Sequence, residues 1–356
     1  MVTHDDLLKK FKSKKILITG HTGFKGSWLV NLLYQLKAEI KGIGLKPKTK
    51  SDIFYVSNCD KKCDSVIMDI RDKEKLQKEI SEFNPDFIFH LAAQPLVIDS
   101  YIDPDNTFST NITGTINLLE IIRLFNHKCT VIMVTTDKVY ENKNWSYPYR
   151  EVDTIGGHDP YSASKAAMEL IISSYNKSFF KSNSCNKIGI ATARAGNVIG
   201  GGDYSENRII PDIIRSYKTK SILKIRNPHS IRPWQHVLEA LYGYLILAYK
   251  LNKSTNKYSG SWNFGPNLTD QLKVSELIEQ AEYTLGKLNT EIIDNDYHET
   301  NTLLLDISKS KRFLSWNPKW TSNESINKTM EWYLNPTDDF TQEQINEFLK
   351  TNYINE

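Results

Sequence analysis

Residues 14–26 read KKILITGHTGFKG, an apolar run that passes into three glycines, Gly20, Gly23 and Gly26. The apolar run predicts a buried strand, and the leucine-rich segment after it predicts a helix. Glycines at such a turn let a pyrophosphate approach the N–H groups at the helix N-terminus. A glycine-rich turn in another kind of α/β protein is the alternative, but the strand before it and the helix after it favour dinucleotide binding.

Strand and helix patterns alternate downstream of this turn. Strands are predicted at 39–45, 65–70, 86–93 and 187–197, and helices at 73–83 and 105–125. This alternation predicts an α/β fold with a doubly wound parallel (Rossmann) sheet and helices on both faces.

The domain boundaries follow from the place where this alternation changes. We expect a dinucleotide-binding Rossmann domain at 12–200, with a later segment at about 230–265 returning to it. Residues 201–334 are predicted to form mainly a smaller C-terminal α/β substrate-binding domain. Residues 335–356 are polar and predict a peripheral tail with one short helix.

The second predicted strand lacks a residue that would choose between NAD and NADP. An acidic side chain often binds the ribose diol of NAD at the end of this strand, and none stands here. Lys46, Lys48 and Lys50 lie nearby and suit either a 2′-phosphate or no ligand in particular. This stretch therefore leaves the choice of dinucleotide open.

Residues 131–140, VIMVTTDKVY, predict a strand that stops at the polar residues Thr136, Asp137 and Lys138. In open parallel sheets, ligands bind at the carboxyl ends of the strands. The sequence therefore predicts that a hydroxyl, a carboxyl and an amine face a ligand crevice together.

Tyr161 and Lys165 lie on the next predicted helix, which Asp159 can cap and Pro160 can begin. Four residues apart, the two side chains share one helix face. A cation held there would lower a phenol pKa that is ordinarily about 10 and make the tyrosine a usable base. Taken alone, this spacing is typical of ordinary surface pairs, so the functional interpretation depends on the neighbouring motifs.

The charge balance argues against a general nucleic-acid or membrane-surface binder, because 45 lysines and arginines nearly match 42 aspartates and glutamates. Basic residues are nevertheless concentrated in one stretch, and their planar side chains suit phosphates. This concentration favours an anionic substrate, although any one of these arginines could be an ordinary surface residue. The arginines are Arg194, Arg208, Arg215, Arg226 and Arg232.

No segment resembles a signal peptide or a membrane span, so we expect a cytoplasmic protein. The four cysteines, Cys59, Cys63, Cys129 and Cys185, show neither a disulfide framework nor metal-ligand spacing. We therefore expect reduced thiols and no metal site.

The combination of Thr19-Gly-x-x-Gly-x-x-Gly26, Thr136 and Tyr161-x-x-x-Lys165 resembles the extended short-chain dehydrogenase/reductase family, whose members modify nucleotide sugars. Longer strings resemble one group of that family, the CDP-glucose 4,6-dehydratases. The resemblance runs from about Lys14 to Trp332. The strings are GHTGFKGSW (20–28), HLAAQPLV (90–97), Thr136-Asp-Lys138, RAGNVIGGGD (194–203) and RNPHSIRPWQHVLE (226–239).

The resemblance implies an NAD-dependent hydro-lyase that acts on CDP-glucose in deoxysugar biosynthesis, for O-antigen or a similar glycan. Oxidation at C4 would make the C5 proton acidic, water would leave across C5 and C6, and the hydride would return to C6. Tyr161 would be the base at C4, Lys165 would lower its pKa and hold the nicotinamide ribose, and Thr136 would bind the C4 oxygen. Asp137 would be the acid at C6. Lys138 would be the base at C5, where dTDP-glucose dehydratases carry glutamate, and it would need a lowered pKa.

The resemblance also implies ligand contacts and an assembly. A homodimer is expected through helices at 105–126 and 160–181, with no metal. The implied cofactor-binding residues are Gly20, Thr22, Gly23, Phe24, Gly26, Asp69, Ile70, Leu91, Ala92, Ala93, Gln94, Asn111, Tyr161 and Lys165. The implied substrate-binding residues are Gln94, Asn197, Arg208, Arg232 and His236.

Two other functions remain open at this point. A 4-epimerase, or a dehydratase for another nucleotide sugar, shares most of these motifs, but an epimerase has no need of Asp137 and Lys138 beside the threonine. A non-catalytic dinucleotide sensor typically lacks the tyrosine or the lysine, and both are present here. The sequence does not reveal the nucleotide base except through the resemblance.

Overall fold

Seven parallel strands form the central sheet in the computed structural model, which describes residues 2–181, 187–293 and 302–353. The strands are β1 (Lys15–Thr19), β2 (Glu39–Gly44), β3 (Asp64–Ile67), β4 (Phe87–His90), β5 (Cys129–Val134), β6 (Ile188–Ala195), β7 (Val198–Ile199), β8 (Leu223–Ile225), β9 (Ile231–Arg232), β10 (Gln235–His236), β11 (Gly260–Phe264), β12 (Leu272–Lys273) and β13 (Thr290–Ile292).

Helices cover both faces of this sheet. They are α1 (His4–Phe11), α2 (Phe24–Gln35), α3 (Ile53–Val56), α4 (Lys73–Phe83), α5 (Val97–Ile102), α6 (Pro104–Phe108), α7 (Gly114–Arg123), α8 (Pro160–Tyr175), α9 (Ile209–Thr219), α10 (Val237–Lys253), α11 (Thr255–Tyr258), α12 (Val274–Leu285), α13 (Ser322–Leu334) and α14 (Asp338–Lys350). A π-helical turn, Ser109–Thr113, joins α6 to α7, and a one-turn 3₁₀ helix, Asp137–Val139, follows β5.

The spatial order of the central sheet is β11-β6-β5-β4-β1-β2-β3. The order reverses on either side of β1, so a crevice opens at the carboxyl ends of β1 and β4, where doubly wound sheets bind ligands. Every residue of β5 and β6 is buried, as expected for strands covered by helices on both faces. The predicted doubly wound fold is confirmed.

The helix that carries Tyr161 begins where the sequence predicts. Asp159 is its N-cap, and its carboxylate accepts a hydrogen bond of 2.9 Å from the Ser162 N–H. Pro160 occupies the first turn, where its missing N–H removes no helical hydrogen bond. A local capping signal therefore fixes the position of Tyr161 along the helix.

The second half of the chain adds short strand pairs beside the large sheet. Within the described residues, these are β7 with β10, β9 with β12 and β8 with β13. β11 instead pairs with β6 and extends the central sheet.

The C-terminal tail corrects one expectation, because it is not peripheral. The side chains of Ile345 and Phe348 on α14 are fully buried. The Lys319 ammonium lies over the Phe348 ring at 5.0 Å and donates to the Phe348 carbonyl at 3.0 Å. The apolar spacing on this short polar helix is what its overall composition conceals.

Cys59, Cys63 and Cys129 are free thiols, and Cys185 lies outside the described residues. In the described ranges, no helix is both long enough and apolar enough to cross a membrane.

Candidate active site

A cavity of about 1280 Å³ runs along the carboxyl ends of the central strands. Its volume exceeds the roughly 300–1,000 Å³ of a typical single-ligand pocket, so it can take a dinucleotide and a second ligand together. The glycine turn lies on one side, the end of β5 and the start of α8 lie in the middle, and arginines lie on the other side.

The glycine turn is shaped by backbone packing that excludes side chains. Gly20 has a φ of +76°, and a Cβ placed there would lie 2.7 Å from the Ala92 N atom. A Cβ on Gly26 would lie 2.1 Å from the Gly20 carbonyl oxygen. Gly23 is the N-cap of α2, and no described side chain caps that helix. This arrangement fits a pyrophosphate bound by backbone N–H groups.

The far end of the cavity is lined by Asp69 and Ile70. The Arg71 guanidinium binds the Asp69 carboxylate at 2.6 Å and also donates to Asn106 at 2.9 Å. Hydrogen bonding from Arg71 lowers the pKa of Asp69, which stays an ionised acceptor. These contacts fix the end of β3 against α6.

Thr136 and Asp137 lie directly after β5, and both are buried. The Thr136 hydroxyl donates to one Asp137 carboxylate oxygen at 2.9 Å, while the other has no partner among the described residues. Burial raises the pKa of Asp137, although nearby Lys138 and the Thr136 hydrogen bond oppose the rise. A carboxyl group that keeps its proton to higher pH suits a general acid. Lys138 is half-buried and lines the same cavity.

Tyr161 and Lys165 also line the cavity, but their electrostatics differ from the sequence expectation. Burial raises the pKa of Tyr161 to about 12, against the opposing effects of the Thr136 hydrogen bond and of Arg208. Burial, reinforced by Lys25, lowers the pKa of Lys165 to about 7. An amine that is only partly charged near neutrality stabilises a tyrosinate weakly, so Arg208 is the cation that opposes the rise at Tyr161.

The arginine-rich stretch divides between the cavity and other places. Arg208, Arg226 and Arg232 line the cavity, as does Asn197. The Arg208 guanidinium is held by the Asp203 carboxylate at 2.7 Å. The two remaining arginines do not line the cavity themselves. Arg194 pairs with Glu169, and Arg215 pairs with Asp212, which is a lining residue.

Three predicted site residues, Gln94, Asn111 and His236, do not line the cavity. The Gln94 amide binds the Leu96 backbone and Thr107, and the Asn111 amide binds Ser164 at 2.8 Å and the Gln94 carbonyl at 3.2 Å. These two side chains support the cavity wall from behind.

His236 corrects the expectation of a substrate contact. Its ring is fully buried and packs edge-on against Trp28 and Trp320, with centroids 5.6 and 4.9 Å away. Its Nδ1 atom accepts a hydrogen bond from the Leu238 N–H at the start of α10. Burial lowers the pKa of His236 to about 3, so the ring is a neutral helix cap in an aromatic core.

Lys25 is a cavity residue that sequence reasoning missed, although it lies inside the quoted glycine motif. Burial lowers its pKa to about 8; Arg208 adds to this effect and Asp137 opposes it. Its charge is thus coupled to both sides of the reaction end of the cavity, which is the part lined by Thr136, Asp137, Tyr161 and Arg208. The spacing of the glycines gives no signal for Lys25, because the direction of its side chain depends on how the turn and the start of α2 are folded.

The remaining predicted positions are all at the cavity. Those not yet placed are Thr22, Phe24, Leu91, Ala92 and Ala93, which line it beside the glycine turn and the end of β4.

Comparison with known proteins identifies the family. Residues 17–329 match the family model described as GDP-mannose 4,6 dehydratase, and the chain belongs to this family. It is 42% identical over 327 residues to the CDP-glucose 4,6-dehydratase of Salmonella typhimurium, covering 91% of each chain. It is 25% identical to a probable dTDP-glucose 4,6-dehydratase of Sinorhizobium fredii, covering 90% of this chain and 93% of that one.

Solved structures share the fold. The dTDP-glucose 4,6-dehydratase of Bacillus anthracis in complex with NAD aligns with a TM-score of 0.76 at 24% identity, covering 90% of this chain and 97% of that one. The UDP-glucose 4-epimerase of Thermus thermophilus in complex with NAD aligns with a TM-score of 0.78 at 22% identity, covering 90% and 99%.

Proposed function

We propose that this protein is a CDP-glucose 4,6-dehydratase, an NAD-dependent hydro-lyase that forms CDP-4-keto-6-deoxyglucose. One observation carries the reaction type: Asp137, a buried carboxyl group whose pKa is raised by burial, is hydrogen-bonded to Thr136 in the cavity that Tyr161 also lines. A 4-epimerase needs no acid at this position. The choice of CDP-glucose rests on the 42% identity with the Salmonella enzyme.

The residues present fit NAD. Gly20 and Gly26 leave no room for a Cβ, and the backbone around Gly23 can bind the pyrophosphate. Asp69 and Ile70 are placed for the adenine end, and Ala92 and Ala93 line the wall between the two ends. When bound, NAD supplies a hydride acceptor for C4 of the sugar and returns the hydride to C6.

Tyr161 takes the proton of the C4 hydroxyl as the C4–H bond breaks. When substrate binds, the Thr136 hydroxyl turns from Asp137 to donate its hydrogen bond to the C4 oxygen, which holds the sugar toward the phenol. Burial raises the pKa of Tyr161, and Arg208 opposes this rise. A positive charge near the phenol therefore helps to make the tyrosinate available as the base.

Elimination then uses the residues at the end of β5. Lys138 accepts the C5 proton, which the C4 ketone has made acidic. Asp137 donates its proton to the C6 hydroxyl, which leaves as water while a double bond forms between C5 and C6. Lys138 would then return a proton to C5, which restores the neutral amine and completes the 4-keto-6-deoxy product.

Substrate anchoring is assigned to Asn197, Arg208 and Arg232, which face the diphosphate and the ribose. Arg208 is preoriented by Asp203, so less side-chain entropy is lost when it binds a phosphate. Gln94 and His236 are not part of this assignment, because the structure engages both elsewhere.

The test is incubation of the purified protein with CDP-glucose and NAD in D₂O, followed by NMR of the sugar. We expect a 4-keto-6-deoxy product with deuterium at C5 and the original C4 hydrogen at C6. A product only from another nucleotide sugar would move the assignment within the family. A C4 epimer without deuterium at C5 would replace dehydration by epimerisation, and no turnover of any nucleotide sugar would favour a sensor.

We further propose a homodimer through α6, α7 and α8. Large apolar side chains are exposed on α8 and just beyond α7 and α8. Leu170 on α8 is 62% exposed, Leu124 after α7 is 67% exposed, and Phe179 after α8 is 44% exposed. Such a patch is covered in many soluble proteins by a second copy of the chain. Sedimentation should show a dimer, and Leu170→Glu should shift it to monomer. A monomeric wild-type protein at micromolar concentration would refute the assignment.

A further inference from the structure

A buried ion pair lies directly beneath the reaction end of the cavity. The side chains of Glu169 on α8 and Arg194 on β6 are each only 3% exposed. Two parallel hydrogen bonds join them, Nε to Oε1 at 2.9 Å and Nη2 to Oε2 at 3.0 Å. This is the bidentate geometry that makes an arginine–carboxylate pair strong and directional.

The same carboxylate accepts hydrogen bonds from three hydroxyl groups, two on strands and one just after a strand. Thr135, after β5, donates to Oε1 at 2.6 Å. Thr192 of β6 donates to Oε2 at 2.8 Å, and Ser261 of β11 donates to Oε2 at 3.2 Å. Both oxygens are thus fully engaged, as a buried charge requires.

Glu169 joins the two parts of the catalytic apparatus. It lies one helical turn after Lys165 and two turns after Tyr161, on the same face of α8. Its partner Thr135 is the residue immediately before Thr136 and Asp137. Lys165 itself donates to the Val134 carbonyl at 3.4 Å, so α8 meets the end of β5 at two successive turns.

The pair also connects to the loop that follows the catalytic turn. Arg194 donates to the Tyr140 hydroxyl at 2.9 Å, and its guanidinium stacks over that ring at 4.9 Å. The Tyr140 hydroxyl in turn donates to Asn263 at 2.7 Å. Tyr140 ends the segment that contains Thr136, Asp137 and Lys138, so this segment is held at both ends.

We propose that Glu169, clamped by Arg194, is a positioning residue that sets Tyr161 and Lys165 of α8 against Thr136 and Asp137 at the end of β5. The proposal rests on the dehydratase function above. Glu169 touches neither substrate nor cofactor in this proposal, and it acts through Thr135 and through its own helix.

The charge of Glu169 is part of this role. Burial acts to raise its pKa, but Arg194 and the hydroxyls of Thr135 and Thr192 outweigh burial and hold it below the ordinary value. The ionised carboxylate favours the charged form of Lys165, whereas Lys25 on α2 disfavours it. His90 of β4 also lies near Lys165. Tyr161 is faced by Arg208, Asp137 and Asp159.

The first experiment is Glu169→Gln, which keeps the shape of the side chain and removes its charge. We expect kcat to fall about 100-fold, because a displacement of about 1 Å costs that much. The KM for CDP-glucose should stay within about threefold, since the diphosphate contacts are remote. Loss of a negative charge lowers the pKa of both Tyr161 and Lys165, so both limbs of the kcat–pH profile should move to lower pH by about 1 unit.

A second variant separates charge from position. In the double variant Glu169→Gln with Arg194→Met, the net charge at these two positions is zero, as it is in the wild-type ion pair. We expect the pH limbs to return to their wild-type positions while kcat stays low, because the Thr135 contact remains weakened. Limbs that stay displaced in the double variant would contradict the electrostatic part of the proposal.

The matched control is Asp338→Asn, which disrupts the pair between Asp338 and the buried Lys62 ammonium on the far side of α2. It should lower the melting temperature and leave the pH limbs of kcat unmoved. If Glu169→Gln behaves in the same way, with kcat within threefold and unmoved limbs, then the pair is only structural and the proposal fails.

Two further measurements test the positioning role if Glu169→Gln does not fold or if the wild-type protein does not convert CDP-glucose. If Glu169→Gln does not fold, Thr135→Val removes only the hydroxyl link, and an unchanged kcat would overturn the positioning role. If wild-type protein does not convert CDP-glucose, the proposed function fails separately. A crystal structure of Glu169→Gln then decides the matter, since α8 unmoved relative to β5 would refute positioning without any substrate.

Discussion

The glycine turn and the reaction end of the cavity are built in opposite ways. The turn is formed by residues 20–26, and its tightest contact lies within the motif, between the Gly26 position and the Gly20 carbonyl. The reaction end joins the end of β5, the start of α8 and Arg208 beyond β7. A local site is specified by residue size and spacing. A site joined from distant elements depends on how those elements pack, so substitutions should affect the two sites differently.

The largest effect is expected at the reaction end, with Tyr161→Phe. The ring stays in place, but the base is lost, so kcat should fall by about 10²–10⁴ while the melting temperature changes little. Product formation and thermal unfolding measure the two quantities. Tyr249→Phe on α10, which does not line the cavity, is the control and should retain full activity. A large fall in stability with Tyr161→Phe would break the contrast between the two regions.

Asp137→Asn should divide the reaction in two. The amide cannot protonate the leaving C6 hydroxyl, so dehydration should slow by about 10²–10³, whereas hydride transfer from C4 should persist. The expected observation is accumulation of NADH on mixing with CDP-glucose, seen by absorbance, with little 6-deoxy product by NMR. Dehydration at the wild-type rate would remove Asp137 from its role as acid.

Gly26→Ala should damage folding and cofactor binding together. The added Cβ would lie 2.1 Å from the Gly20 carbonyl oxygen, so the turn must open, at about 1–3 kcal/mol of stability. We expect denaturant unfolding to report this loss and calorimetry to report NAD binding weakened at least about tenfold. Gly23→Ala is the matched control for folding, because its Cβ would lie 3.4 Å from the same oxygen, an ordinary contact. Equal stability of the two variants would show that the turn is not set by close packing.

The last prediction concerns how the free energy of unfolding depends on pH through Lys165. Its pKa is about 7 in the folded protein, against the ordinary lysine value of 10.5 in the unfolded chain. Between these two pH values Lys165 binds a proton in the unfolded chain but not in the folded protein, so its contribution to stability rises with pH. Below about pH 7 Lys165 is protonated in both states, and its contribution is unfavourable and constant. Lys165→Met should therefore be more stable than wild type at pH 6, with the difference shrinking toward pH 10. A difference independent of pH, measured by denaturant unfolding, would contradict the lowered pKa.

The strands and the catalytic helix could be predicted because their signals are local. The polar stop after β5 placed Thr136, Asp137 and Lys138 at the cavity, and the Asp159 cap placed Tyr161 and Lys165 on its edge. Their electrostatics could not be predicted in the same way. A tyrosine pKa depends on burial and on Arg208, which lies more than forty residues away in the chain.

The errors share the same physical origin. His236 lies in a string that the resemblance associates with substrate, yet its environment is set by Trp28 and Trp320 from distant elements. The tail was expected to be peripheral because its composition is polar, but two apolar side chains at helical spacing suffice to bury one face of α14. Lys25 gives no sequence signal, because the direction of a side chain in the first turn of α2 depends on how the helix packs.

The sequence by itself determined the doubly wound fold, the glycine turn and the residue types at the end of β5, since each depends on spacing within one or two adjacent elements. Only the tertiary structure decided which arginines line the cavity and which one, Arg194, lies outside it and binds Glu169. It also decided the protonation tendencies of Asp137, Tyr161 and Lys165. Burial and charge at a site are sums over elements that meet only when the chain is folded, so no local pattern contains them.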